Sequence, residues 1–243
     1  MSMVRQATGI GRNVQLLVMF GLGIWVCNSG LLGQIGDNWD DIVYLSKQHM
    51  ILVTVSGGAA ILVGIPVGIW LSRPAMGRYA ETVMQVFNIG GTIPTLAVIA
   101  LSMTVLGIGF APAFFGLFVA SLLPIVRNTY TGLLAVPQHL KEAATGMGMT
   151  PRQILFQVEL PNALYVIFSG VRTALAINVG TAPLAFLIGG GGLGELIFTG
   201  IDLMDTGMLL AGAIPTAALA VMVDFTMGQA QLRLVPKGVN PLR

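Results

Sequence analysis

Long apolar stretches are the feature that most constrains this chain. Six of them run for about 20 residues, the length that a helix needs to cross a hydrocarbon core about 30 Å thick. Of the 243 residues, 55% are hydrophobic and 9% are charged, whereas a soluble domain carries about 25% charged residues. The sequence therefore predicts an all-α integral membrane protein, a polytopic helical bundle. The predicted spans are Val14–Leu32, Met50–Leu71, Val83–Leu106, Ala113–Ala135, Ala163–Leu187 and Gly207–Ala230.

The basic residues between the predicted spans set the orientation, because Lys and Arg concentrate in cytoplasmic segments. If the N-terminus lies inside, Lys47 is the one basic residue in the outside loops, and these loops carry most of the acidic residues. We therefore predict a multi-pass protein with both termini in the cytoplasm. With the N-terminus inside, the basic residues of the inside segments are Arg5, Arg12, Arg73, Arg78, Lys141, Arg152, Arg233, Lys237 and Arg243, and Arg127 lies near the inside end of the fourth span.

The first span has a second interpretation. Arg5 and Arg12 before an apolar run could form a secretory signal, with Cys27 as a lipoprotein cleavage point. Such cleavage requires a small residue directly before the cysteine, and Val26 occupies that position. We therefore favour a retained spanning helix in which Cys27 is a small buried hydrophobe.

Patterns for nucleotide hydrolysis or metal catalysis are missing from the sequence. A P-loop requires a Gly-Lys dipeptide, and no lysine of this chain follows a glycine. His49 and His139 do not have the HExxH spacing of a zinc hydrolase. The glycine run at 189–194 is interpreted as a flexible loop whose glycines permit tight backbone packing. We predict that this chain is not an enzyme and holds no cofactor or metal of its own.

The segment from Pro137 to Pro161 has the pattern of two short helices on the cytoplasmic face. Residues 138–147 contain good helix formers, and Gly148 is suited to end that helix with a positive φ. Thr150-Pro151-Arg152-Gln153 has the form of a capping box with proline at the first helical position. We predict a helix–turn–helix that inserts into a groove of another protein. The alternative is a helix that lies on lipid headgroups, but such helices usually carry more basic and aromatic residues than this segment has.

The same segment resembles the coupling loop of bacterial ABC importer permeases. Glu142-Ala143-Ala144, Gly148, Val158 and Leu160-Pro161 have the spacing of that motif, with Val158 where the pattern prefers Ile. One departure is Gly91, which stands where Gln is expected before Thr-Ile-Pro. Further stretches are similar to the permeases for glycine betaine, carnitine and choline, and these stretches are 122–133, 146–150, 158–161, 170–174, 177–182 and 191–194.

This resemblance implies a five-helix permease core, preceded here by one extra span, in the bacterial inner membrane. The expected divisions are an N-terminal span with its outside loop (1–47), a transmembrane domain (48–232) with coupling loop 137–161, and a cytoplasmic tail (233–243). The resemblance assigns docking of an ATPase to Glu142, Ala143, Ala144, Gly148, Leu160 and Pro161.

The resemblance also implies partners and a solute. The partners are ATPase subunits that bind ATP and Mg, a second permease of the same or a similar chain, and an extracytoplasmic substrate-binding protein. Membrane lipid surrounds the spans, and nucleic acid has no part. The solute is a quaternary ammonium osmolyte such as glycine betaine, choline or carnitine, and tight recognition is expected from the binding protein.

Polar residues within the spans are candidates for lining the pathway. A break at Pro94 would free backbone carbonyl groups to line a cavity, whereas interhelical hydrogen bonds are the structural alternative for the others. Arg172 and Asp224 also lie within spans, where a charge costs about 2.5–3.5 kcal/mol. We favour a structural role for Arg172, either in an interhelical pair or by snorkelling toward an interface, because a cationic lining would repel a quaternary ammonium solute. Asp224 is expected near the cytoplasmic headgroups. The pathway candidates are Asn88, Thr92, Pro94, Asn128, Thr129, Tyr130, Asn178 and Thr181.

Two other classes of function remain as alternatives. An ion-coupled secondary transporter would be expected to carry a buried carboxylate or a broken helix pair in each half, and Asp224 alone does not supply this. A membrane assembly protein without transport is the second alternative. Neither class needs a docking surface for an ATPase, so the coupling loop favours the importer permease.

Overall fold

The computed structural model describes residues 31–236 and 238–239, and these residues form a bundle of helices. Shorter segments are a 3₁₀ turn at Pro74–Met76, a π turn at Leu155–Glu159 and a second 3₁₀ segment at Ala182–Ile188. The predicted first span lies outside the described residues apart from its last two positions. The helices are α1 (Leu31–Asp37), α2 (Trp39–Leu71), α3 (Gly77–Thr92), α4 (Thr95–Leu106), α5 (Phe110–Leu134), α6 (Gln138–Gly146), α7 (Pro151–Ile154), α8 (Leu160–Thr181), α9 (Gly194–Asp202) and α10 (Thr206–Leu234).

Within residues 31–236, four helical segments are long and apolar enough to cross a membrane. They are α2, α5, the continuous segment Pro151–Ile188 and α10. They contain the second, fourth, fifth and sixth predicted spans, and the bent pair of α3 and α4 provides a fifth crossing if it is counted as one span. The all-α membrane fold is therefore confirmed.

The third predicted span, Val83–Leu106, is wrong as a single straight helix. The segments on either side of Ile93 and Pro94 are bent by 95° relative to each other. Ile93 is extended, with φ −73° and ψ 123°, because the ring of the following proline disfavours the helical region for the residue before it. Pro94 also lacks the N–H that would continue the helix. The predicted break at Pro94 is confirmed.

Two predicted outside loops are largely helical. The segment predicted as a loop at 33–49 contains most of α1 and the first turns of α2, which makes α2 33 residues long. The second, at 188–206, contains α9, which packs against α10. The first was missed because it continues into an apolar span, and the second because a short helix after a glycine run is not distinguished from a loop by composition.

The glycine run before α9 is held by backbone conformation and close packing. Gly189, Gly191 and Gly192 have positive φ values of 75°, 72° and 86°, which glycine adopts without a steric cost. A Cβ at Gly190 would lie 2.8 Å from the Cβ of Ala113. The predicted tight packing is confirmed, and it seats the run against α2 and α5.

Helices α2, α5 and α8 form the centre of the bundle and approach each other at glycines. A Cβ at Gly68 of α2 would lie 2.5 Å from Cβ of Thr129, and one at Gly170 of α8 would lie 2.5 Å from Cβ of Asn128. Real Cβ atoms do not come this close. The backbones of α2 and α8 therefore rest directly on neighbouring positions of α5, as small-residue contacts allow in membranes.

A buried hydrogen-bond cluster joins the same three helices. The Asn178 amide of α8 donates to the Ser56 hydroxyl of α2 at 3.0 Å and to the Ser121 hydroxyl of α5 at 2.8 Å. All three side chains are fully buried. The two hydroxyls in turn donate to carbonyl oxygens of their own helices. Asn178 thus links three helices in this conformation.

Arg172 and Asp224 form an interhelical pair, which is one of the two structural arrangements predicted for Arg172. The guanidinium of Arg172 in α8 contacts the carboxylate of Asp224 in α10 through two nitrogens, and the Nη2–Oδ2 distance is 2.5 Å. Pairing offsets the cost of placing either charge inside a membrane. The structural interpretation of Arg172 is confirmed.

We predict that Asn178→Ala lowers thermal stability, because the variant loses the amide that bridges three helices. A membrane-buried side-chain hydrogen bond contributes about 0.6–1.7 kcal/mol, so the unfolding midpoint in detergent should fall by several degrees. Thr181→Ala is the matched control, since the Thr181 hydroxyl bonds carbonyl groups of its own helix. Equal midpoints for the two variants would contradict the linking role of Asn178.

Candidate functional site

The end of α6 is closed by a Schellman motif. Gly148 has φ +81°, its N–H donates to the Thr145 carbonyl at 2.9 Å, and the Met149 N–H donates to the Ala144 carbonyl at 3.1 Å. This 5→2 and 6→1 pair of hydrogen bonds is the pattern of a left-handed helix end. The predicted positive φ at Gly148 is confirmed.

The second helix of the hairpin starts at the predicted capping box. The Thr150 N–H donates to Gln153 Oε1 at 2.8 Å, and the Gln153 N–H donates to Thr150 Oγ1 at 3.4 Å. Pro151 occupies the first helical position. The π turn at 155–159 then leads into α8 without an intervening loop, and such turns are frequent at functional sites. We call residues 137–159 the coupling hairpin.

The predicted docking residues of α6 divide between two environments. Glu142 and Ala143 are exposed, whereas Ala144 is 1% exposed and packs against its own chain. Helix α6 therefore packs against the bundle through Ala144 and exposes Glu142 and Ala143. Leu160 and Pro161 are half-buried at the start of α8, where they anchor the hairpin.

Two large apolar side chains of the coupling hairpin project away from the protein. Met147 is 74% exposed and Phe156 is 66% exposed. Sequence reasoning included Met147 in the predicted first helix of the hairpin but missed Phe156. The available signal for Phe156 was its position, as an aromatic residue near the end of a predicted cytoplasmic loop. Exposed apolar groups beside Glu142 and Ala143 suit contact with another protein.

Glu159 is a charged residue of this region that sequence reasoning did not select. Its carboxylate is buried and accepts from Arg73 Nη1 at 2.6 Å, and Lys141 Nζ lies 3.4 Å from its second oxygen. Lys141 also donates to the Leu133 carbonyl at 3.3 Å. Glu159 therefore ties α6 to the ends of α2, α5 and α8. The available signal was an acidic residue directly before Leu160-Pro161 in a chain with few charges.

An open crevice lies between the broken pair α3–α4 and helix α5, with a volume of about 520 Å³. Gly90 and Gly91 line one side, and Arg127 and Asn128 of α5 line the other. A side chain at Gly91 would meet Leu123, so glycine at this departure from the family pattern keeps the crevice open. A more apolar cavity of about 600 Å³ shares several walls with it and extends along α4.

The eight predicted pathway residues occupy different surroundings. Asn88, Thr92 and Pro94 are exposed around the break, and Asn128 lines the crevice. Thr129 and Asn178 are buried among helices of this chain, whereas Tyr130 and Thr181 are half-buried. The structure thus gathers four of them near one crevice, and their contact with solute stays a prediction.

Among the described residues, no group of three or more His, Cys, Asp or Glu side chains is arranged to hold a metal ion. His49, which is buried in α2, has its Nε2 atom 3.1 Å from the Val179 carbonyl. Its surroundings are those of a packed core side chain.

Comparisons with known proteins agree with this geometry. The chain is 52% identical over 230 residues to the osmoprotectant import permease protein OsmY of Salmonella typhimurium (strain LT2), covering 95% of this chain and 96% of that protein. It is 39% identical over 206 residues to the choline transport system permease protein OpuBB of Bacillus subtilis (strain 168), covering 85% of this chain and 94% of that protein.

A solved structure shares the fold. The chain is similar to a chain of the MetNI methionine ABC transporter in inward-facing conformations, with a TM-score of 0.72, 26% identity and coverage of 80% of this chain and 96% of that one. Residues 64–235 match the model of the binding-protein-dependent transport system inner membrane component. The chain therefore belongs to this family of ABC importer permeases and is a membrane component of a transport system, not a catalytic subunit.

Proposed function

We propose that this chain forms the translocation pathway of an ATP-driven importer for quaternary ammonium compatible solutes such as glycine betaine, choline or carnitine. The relatives named for osmoprotectant and choline import support this solute class. In this proposal an extracytoplasmic binding protein delivers the solute, and a second permease of the same or a similar chain completes the pathway. ATPase partners bind ATP and Mg and supply the energy.

The coupling hairpin is the observation that carries this proposal. It combines a Schellman end at Gly148, a capping box at Thr150 and exposed side chains at Glu142, Ala143 and Phe156. A hairpin with both turns fixed presents a surface of constant shape, which suits docking into a preformed groove. The small Ala143 lets the backbone of α6 approach its partner closely. We place the ATPase on this surface.

The hairpin is also connected to the spans in a way that suits energy coupling. Glu159 joins Lys141 of α6 to Arg73, which follows α2. A displacement of α6 by a moving ATPase would therefore act on α2 and α8 together. With the hairpin in the cytoplasm, both termini lie in the cytoplasm as the basic residues predict.

Uptake by the reconstituted complex tests the solute class. Vesicles containing the permease, its ATPase and its binding protein should accumulate at least one of glycine betaine, carnitine and choline when ATP is present at the ATPase side. A complex without the ATPase is the control and should show no accumulation. Uptake of amino acids or metal ions with no response to any of the three solutes would refute the assignment.

We predict that Gly148→Leu uncouples the importer while leaving the permease inserted, because the substitution touches no span. The space around position 148 is open, so the cost arises from the left-handed φ, about 1–2 kcal/mol for a residue with a Cβ. Solute uptake and binding-protein-stimulated ATP hydrolysis should each fall at least fivefold. Gly146→Ala is the matched control, since Gly146 is helical and equally free of neighbours. Near-normal transport by Gly148→Leu would remove the coupling role.

We predict that Glu159→Gln loosens the coupling hairpin, because Arg73 and Lys141 lose the carboxylate between them. Leaving charged partners unsatisfied costs about 1–3 kcal/mol, so the hairpin should open more often. The measurement is the rate of tryptic cleavage after Arg152 in the purified permease, which should rise at least threefold. Glu142→Gln provides the comparison, since Glu142 is exposed and forms none of the ion pairs found in the described part of the chain. Equal cleavage rates would contradict the tie through Glu159.

A further inference from the structure

Arg127 is a charged side chain for which the coupling mechanism has no use. It lies in α5, seven residues before the helix ends at Leu134, which places it about 10 Å along the helix from that end. Within residues 31–236 its guanidinium makes no hydrogen bond and no ion pair. Arg73 and Arg172, by contrast, are both paired with carboxylates.

An unpaired arginine within a spanning helix requires compensation. Insertion of such a charge costs about 2.5–3.5 kcal/mol at the centre of a span, and charged residues of this kind usually face water or a partner. The Arg127 side chain is exposed, and it lines the crevice between α5 and the broken pair α3–α4. The crevice therefore offers a positive charge with five N–H donors and no protein acceptor among the described residues.

The remaining walls of the crevice have a different chemistry. Ile93, Val98, Leu123 and Ile177 contribute apolar surface. A trimethylammonium group has no N–H donor and so requires no hydrogen-bond acceptor. It can therefore lie against these apolar walls without leaving a donor unpaired. The volume of about 520 Å³ lies within the range of small-molecule sites.

We infer that the crevice is a solute subsite in which Arg127 binds a carboxylate, and that the permease therefore favours zwitterionic solutes that combine a carboxylate with a quaternary ammonium group. Guanidinium and carboxylate match in geometry and can form two parallel hydrogen bonds. Glycine betaine and carnitine carry this carboxylate, whereas choline does not. The inference rests on the proposed function and adds a preference within its solute class.

This subsite also resolves the repulsion expected between a cationic lining and a cationic solute. A solute with an ammonium group alone gains no contact from Arg127, whereas a zwitterion brings its own counter-charge to the guanidinium. Choline should therefore gain nothing from Arg127 and should pass equally well without it. The alternative ligand of the guanidinium is a phosphate group of a membrane lipid. In that case, replacing Arg127 would affect the uptake of every solute equally.

The test compares two solutes in the complete importer reconstituted in vesicles. For Arg127→Gln, uptake of glycine betaine at subsaturating concentration should fall at least tenfold, while uptake of choline should change less than threefold. Arg127→Lys keeps the charge and should retain more glycine betaine uptake than Arg127→Gln. The control is Arg78→Gln, because Arg78 is exposed near the start of α3 and does not line the crevice. It should leave both rates unchanged.

A second measurement does not depend on choline being imported. In a Cys27→Ser background, Ile177→Cys places one thiol in the crevice with Arg127 intact, and glycine betaine should slow its alkylation at least threefold. Adding Arg127→Gln should remove this protection. Equal alkylation rates with and without glycine betaine, or equal losses of both solutes in Arg127→Gln, would overturn the subsite. The proposed function fails by a different result, namely an unaltered complex that imports none of the three solutes.

Discussion

Close approach of helix backbones is the constraint on which this structure depends. Lipid is as apolar as leucine, so helices within a membrane gain little from burying apolar side chains against each other. Gly68 and Gly170 instead bring α2 and α8 into direct contact with α5. Backbones at this distance allow the short side chains of Ser56, Ser121 and Asn178 to form hydrogen bonds across three helices. The coupling hairpin and the crevice are both attached to this trio.

Helix α8 connects the two functional regions. The segment from Pro151 to Ile188 is continuous, so the hairpin enters the membrane without a flexible joint. The same segment carries Ile177, which lines the crevice. A displacement of the hairpin thus reaches the proposed pathway through one rigid element, and the tie at Glu159 makes α2 move with it. This arrangement gives a physical route from the proposed ATPase surface to the proposed pathway.

The few charges of the chain serve distinct purposes because their surroundings differ. Glu159 lies where two cations meet it, and it holds α6 to the bundle. Arg172 is matched by Asp224 on the neighbouring helix. Arg127 has no such partner among the described residues and faces a cavity. In a medium where isolated charges are costly, the first two arrangements stabilise the fold and the third points to a ligand.

Features that depend on residues close together in the sequence were predictable from the sequence alone. Apolar length determined the spans, the cap at Thr150 and the glycine at 148 determined the coupling hairpin, and the ring of Pro94 determined a break. The tertiary structure decided which side chains meet. It set the angle at the Pro94 break at 95°, buried Asn178 among three helices and brought Arg73 to Glu159. Periodicity and capping act within a few residues of a chain, whereas helix crossing and charge pairing join positions far apart, and no local pattern specifies which helix becomes the neighbour of another.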